Sequence, residues 1–353
     1  MFAKAEQSAE ELVNHTQQNV RIYPITEGIQ SSKTKIVYQR CFNHFLNKIK
    51  IHDLQVLLDF SPKVIKQMIV DYVLYLRDER KLSRTSIKVH LAAILHFFQI
   101  NNDDFMLTLR NFRIHLPSDE SIKEDRPYTT EEIGRVLEEC DVRSKVMILL
   151  MASTGMRMGA LHSLQICDLT KIEFQNSILY KVQVYARTRD KYSGFCTLEC
   201  AKAIDEYIDY RKRFGEEITD KSPLIREQFN LDDKVRIAYP RFVSEKGIEH
   251  IIDNVLKKSG IRKPGIVHLS HGYRKHFFSV CEKSGMKSIN VKMLLGHDIG
   301  VSGHYYRPAE SDLLQDFMDH ACDALTINQN QRLKARVQQL EGQQTQEIAK
   351  LRE

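Results

Sequence analysis

No stretch of this chain stays apolar for the roughly twenty residues that a membrane-spanning helix needs. The N-terminus, MFAKAEQSAEEL, carries no apolar core of the secretory-leader kind. Seven cysteines, at positions 41, 140, 167, 196, 200, 281 and 322, are odd in number and scattered. Cys196 and Cys200 are the only close pair, and no second pair or histidine cluster completes a zinc site. These absences argue against a membrane span, a disulfide scaffold and a structural zinc. The expectation is a cytoplasmic protein with reduced thiols.

What is present is length and a lopsided charge. With 353 residues, 42% of them hydrophobic, the chain can bury two separate cores. Its net charge is +6, yet between Lys33 and Leu116 fourteen Lys and Arg face seven Asp and Glu, so this segment alone exceeds the whole excess. A basic surface of that kind neutralises phosphate, although a soluble helical domain without a partner could carry the same charge. The segment has helical periodicity throughout. Val37, Cys41 and Phe45 recur at helical spacing over 36–49, and Ser61-Pro62 makes an N-cap and first-turn pair for a helix through Leu76. Ser83-Arg84-Thr85 opens a third helix, IKVHLAAILHFF over 87–98, apolar enough to be buried.

Downstream, PSDESIKED at 117–125 is polar enough for an interdomain linker. Thr129-Thr130-Glu131-Glu132 is a capping box that starts the next helix. The last segment, from Thr326, is rich in Gln, Lys, Arg and Glu. Leu333, Val337 and Leu340 keep heptad spacing, but Gln344 and Glu347 fall where apolar residues belong, which predicts a weakly associating helical tail.

Chemistry concentrates in two places. MILLMASTGMRMGAL, from Met147 to Leu161, is an apolar helix broken at Thr154-Gly155, which presents Arg157. HLSHGYRKHFF begins at His268 and contains His271 and Arg274 at i,i+3, one helix face. It is followed by Leu294-Leu295-Gly296-His297 and the tandem Tyr305-Tyr306. Between these places, LYKVQVY over 179–185 alternates as a strand, and YSGFCT over 192–197 reads as its return. The turn between them holds Arg187, Arg189 and Lys191. Two arginines, two histidines and a phenol are an inventory for attacking a phosphodiester. Guanidinium forks match paired phosphate oxygens, imidazoles move protons near neutrality, and a tyrosine can hold the phosphoryl group. Each piece alone is weak: His-x-x-Arg pairs arise by chance, and Leu-Leu-Gly-His often only ends a helix. Their order and spacing carry the argument.

In that order the chain resembles the tyrosine recombinases, the phage-integrase family of DNA strand-exchange enzymes, with a flavour of their archaeal branch. The resemblance implies a mainly α fold with a small β-hairpin or sheet (α+β). It divides the chain into an N-terminal extension (1–32), a helical, SAM-like core-binding domain that binds DNA (33–116), the linker (117–125), a catalytic domain (126–324) and the polar tail (325–353). It implies catalysis by Arg157, His271, Arg274, His297 and a tyrosine through a 3′-phosphotyrosyl intermediate. It further implies double-stranded DNA as partner, association with the nucleoid, no cofactor and no metal, and a tetramer on paired sites, with integration of a mobile element among the biological tasks. The chain departs from the family pattern in two respects. Ala160 stands where the family usually has an acid three residues after the first arginine. The hairpin lysine of the family falls on Arg189, with Lys191 two residues on, and an arginine is a poor general acid. Spacing in many bacterial members selects Tyr306 as nucleophile, whereas the archaeal pattern selects Tyr305. His268 and His304 have no matched role. A binding-only regulator of the same fold, or a DNA-relaxing topoisomerase of the same chemistry, are the alternatives.

Overall fold

The computed structural model describes residues 22–118, 126–174, 177–230, 232–262, 266–300 and 305–328. The chain divides into two compact units, Met1–Ile122 and Lys123–Glu353.

The first unit is helical. Helices α1 (Ser32–Ile49), α2 (Leu54–Asp59), α3 (Pro62–Leu74) and α4 (Arg84–Asn101) each begin where a Ser or Asp stands in extended conformation. Ser31, Asp53 and Ser83 accept a first-turn backbone N–H, so three helix starts are satisfied locally. Ser61 makes no such bond; there Pro62 supplies the pre-set φ of the first helical position. Phe42 and Phe45 from α1, Ile69 and Tyr72 from α3, and Leu91, Ile94, Phe97 and Phe98 from α4 form one core. Ile25 joins this core, and the Tyr23 N–H donates to Asn101 Oδ1 at 2.6 Å. The first 21 residues of the expected N-terminal extension, most of the expected linker and the heptad-spaced tail lie outside the described residues.

The second unit is helical with a three-stranded antiparallel sheet, so the expected mainly α fold with a small β element is what is found. Helix α5 (Thr130–Glu138) carries the capping box in full: Glu132 N–H donates to Thr129 Oγ1 while Thr129 N–H donates to the Glu132 carboxylate. Helix α6 (Val142–Thr154) is buried from Val146 onward, as an all-round apolar helix must be. After the single turn α7 (Met158–Leu161) come β1 (Leu169–Phe174), β2 (Ser177–Val184) and β3 (Tyr192–Phe195), in sheet order 1-2-3. Val182 pairs with Leu169 on one side and Gly194 on the other, and Val184 pairs with Tyr192. Helices α8 (Leu198–Arg213), α9 (Lys234–Ala238), α10 (Glu245–Lys258), α11 (His271–Lys283), α12 (Ser288–Leu294), α13 (Glu310–Asp316) and α14 (Cys322–Leu325) complete the unit. Among the described residues no helix is long and apolar enough to cross a membrane, and no group of three or more His, Cys, Asp or Glu is placed to hold a metal.

Candidate active site

The site is built around the end of α6. Gly155 closes that helix at φ +62°, its N–H donating to Met151 O at 3.1 Å. Left-handed backbone favours glycine, and the packing demands it as well. A Cβ here would stand 2.5 Å from Leu295 Cδ2 and 2.8 Å from Phe277 Cδ1. The break in α6 is thereby pressed against α11 and the end of α12, which brings three distant sequence segments to one point.

Arg274, on α11, ties that point together. It is 7% exposed, and its Nη1 donates to Gly155 O at 2.8 Å while Nη2 donates to Leu295 O at 2.7 Å. A guanidinium has five N–H donors, so three remain. Burial holds the Arg274 pKa below its ordinary value, and the nearby charge of Arg157 lowers it further. Arg157 follows directly as the exposed N-cap of α7. Thr154 sets its approach: Thr154 Oγ1 donates to Leu150 O and accepts the Met156 N–H. Ala160, at the position where the family pattern puts an acid, is fully buried. Among the described residues no carboxylate bonds to either guanidinium. Two cations that repel one another, with no anion between them, make a place for a doubly coordinated anion such as phosphate.

His271 and His297 join Arg274, Pro127, Lys275 and Phe278 around a cleft of about 460 Å³. Burial lowers the His297 pKa, and Arg274 and Arg157 lower it further, so at neutral pH its imidazole is uncharged and free to accept a proton. The His268 ring meets that of His271 edge-on, centroids 6.3 Å apart. His304 lies outside the described residues.

The β2–β3 turn spends one of its cations on structure. Arg187 donates to the buried Asp168 carboxylate at 3.0 Å, and to the Gln165 side chain, pinning the base of the hairpin to the turn before β1. Arg189 and Lys191 are exposed beyond it, and Lys191 makes no hydrogen bond or ion pair among the described residues. At the hairpin's inner end Tyr192 packs its ring against Gly296, where a Cβ would lie 2.4 Å from Cδ1.

The tandem tyrosines differ. Tyr305 is 87% exposed. Tyr306 is half-buried, and its hydroxyl donates to Asn290 Oδ1 at 2.9 Å; Asn290 Nδ2 in turn donates to Asp316 Oδ2 at 2.6 Å. Sequence reasoning missed Lys275, Asn290 and Tyr192. Lys275 was discoverable, because it follows Arg274 directly at the helix start. Asn290 and Tyr192 enter only through packing between segments far apart in the chain.

Residues 127–312 match the model of the phage integrase family. A curated relative, tyrosine recombinase XerD of Oceanobacillus iheyensis (strain DSM 14371 / CIP 107618 / JCM 11309 / KCTC 3954 / HTE831), is 24% identical over 305 residues, covering 82% of this chain and 94% of the relative. Among solved structures, the Tn1549 transposon integrase in complex with circular intermediate DNA superposes with a TM-score of 0.54 at 17% identity, covering 83% of this chain and 95% of that one. XerH site-specific recombinase bound to palindromic difH substrate gives 0.53 at 16%, covering 88% and 79%. A lambda integrase tetramer bound to a Holliday junction gives 0.53 at 18%, covering 80% and 74%. At these identities the structural likenesses speak for the fold.

Proposed function

We propose, from the premise that this chain belongs to the phage integrase family, that it is a site-specific tyrosine recombinase that cuts and rejoins double-stranded DNA. The observation that carries the reading is the pair of guanidiniums, Arg157 and Arg274, bonded to no carboxylate among the described residues and set beside a neutral His297. Tyr305 attacks the scissile phosphorus. Its O–P bond forms, the bond to the 5′ oxygen breaks, and the phenol's proton passes to a histidine of the cleft, His271 or His297. Arg157 and Arg274 bind the two non-bridging oxygens, where negative charge grows. The departing 5′ oxygen takes a proton from Lys191, with Arg189 beside it as a phosphate contact. The phosphotyrosyl bond conserves the energy of the phosphodiester, so rejoining to the partner strand needs no nucleotide.

Tyr305 is preferred over Tyr306 because its phenol is exposed, whereas the Tyr306 hydroxyl is committed to Asn290. The basic helical unit supplies duplex affinity, and a tetramer on two paired sites brings four such tyrosines together, a stoichiometry supported by the lambda integrase tetramer bound to a Holliday junction. This assembly and association with the nucleoid are part of the proposal.

The test is covalent trapping on nicked DNA carrying the repeats that flank the gene. Wild type and Tyr306→Phe should give a protein–DNA band on a denaturing gel, and Tyr305→Phe none. Tight native-gel binding with no band from any of the three would instead make the protein a binding-only regulator.

A further inference from the structure

Tyr192 is the first residue of β3, and its main chain is held twice: by pairing with Val184 and by Gln183 Nε2 donating to its carbonyl at 2.9 Å. Its ring is wedged against Gly296, the residue after the Leu295 carbonyl that Arg274 grips. The Tyr185 ring meets it edge-on at 6.4 Å. So fixed, the side chain cannot turn its hydroxyl outward. That hydroxyl is enclosed and makes no hydrogen bond of ordinary geometry among the described residues, although the Arg274 guanidinium lies within its reach and Arg157 acts on it as well. An enclosed hydroxyl without a partner is destabilising, and folded proteins keep few of them. Here it sets an acceptor beside a cation that spends one N–H on Gly155 O and one on Leu295 O and is repelled by a second cation.

We propose that Tyr192 is a positioning residue for strand cleavage: its hydroxyl accepts a hydrogen bond from Arg274 when phosphate is engaged, and so holds the guanidinium in place against the repulsion of Arg157. The proposal rests on the phosphotyrosyl reading above. Gly155 O and Leu295 O fix the fork at two points on α6 and α12. The phenol adds a third, from the first residue of β3. Positioning of this kind acts on the rate of the chemical step more than on DNA affinity.

The experiment is single-turnover adduct formation on nicked DNA by the full-length protein, wild type against Tyr192→Phe, over a range of DNA concentrations, with thermal melting of both. The phenylalanine variant should lose roughly ten-fold in rate at saturating DNA, the loss expected for one hydrogen bond of ordinary strength. Its half-saturating DNA concentration should not change, and its Tm should not fall, because an unpaired buried hydroxyl has been removed. A wild-type rate in Tyr192→Phe overturns the proposal, as does a joint fall of rate, affinity and Tm, which would mark Tyr192 as structural only. Absence of adduct from wild type itself overturns the phosphotyrosyl reading, and this proposal with it.

Discussion

Arg157 and Arg274 hold the same formal charge but stand in opposite surroundings, and the difference is measurable. Arg274 is buried and satisfies two helix-end carbonyls, whereas Arg157 is exposed and its side chain makes no hydrogen bond or ion pair among the described residues. Removing Arg274 orphans Gly155 O and Leu295 O as well as deleting a proposed phosphate ligand. Arg274→Ala should therefore lose about 2 kcal/mol of stability, the cost of buried acceptors left unmade. Arg157→Ala should stay within about 0.5 kcal/mol of wild type, as exposed substitutions do. Both should lower adduct formation at least about 100-fold, in the range measured for deleting a charge-stabilising donor, while duplex binding persists. Denaturant melts and the trapping gel separate the two. Equal destabilisation, or cleavage by either variant, would contradict the assigned roles.

At the level of elements, the first unit joins three helices by a buried polar chain. The Tyr72 hydroxyl on α3 lies 2.7 Å from His44 Nδ1 on α1 and 2.8 Å from His90 Nδ1 on α4. Burial, then His44, Arg40 and Arg80, push the His90 pKa down to about 4. The folded state thus releases a proton that the unfolded chain binds below about 6.5. Stability that is fully present above that value is lost as pH falls through the window from about 6.5 to about 4. His90 is only half-buried, so solvent screening holds its share to about 1–2 kcal/mol. Urea midpoints at pH 7 and pH 5 should show the first unit weakening on acidification, and His90→Gln should flatten that slope. A slope unchanged in His90→Gln would locate the titration elsewhere.

The legibility of the chain also divides by element. Helix starts were open to sequence reasoning because their signals are local: Ser83, Thr129 and Pro62 act within one turn. The hairpin strands were legible by alternation, but β1 was not, because its half-buried residues, Leu169, Ile172 and Phe174, break strict alternation and none of its side chains is fully buried. Arg157, His271, Arg274 and His297 were named by order and spacing, and the structure brings Arg157, Arg274 and His297 within one another's field. No local pattern could show that Arg187 is spent on Asp168, or that Tyr306 is tied to Asn290, since those partners lie 19 and 16 residues away. Tyr192 was legible as a strand residue only; its place under Arg274 follows from the packing of β3 on the end of α12.

For the whole molecule, the proposed mechanism assigns affinity and chemistry to different groups. The excess of seven positive charges lies between Lys33 and Leu116, while the residues proposed to cleave lie in the second unit. On α1, Lys35 and Arg40 line an open groove of about 680 Å³ with Gln39, Asn43 and Asn47, side chains suited to phosphate and base-edge contacts. Phosphate contacts release counterions, so log K falls with log salt at a slope of about −0.9 per phosphate neutralised. Raising salt from about 50 to 200 mM should cost orders of magnitude in duplex affinity, while the adduct rate at saturating DNA barely moves. Replacing Lys35 and Arg40 together by alanine should flatten the slope by about two and leave the saturating rate intact. Filter binding across a salt series and single-turnover cleavage, run on the same variants, decide it. A slope unchanged by the double substitution would take α1 off the duplex, and a saturating rate that fell with salt would mean that the two functions are not separable.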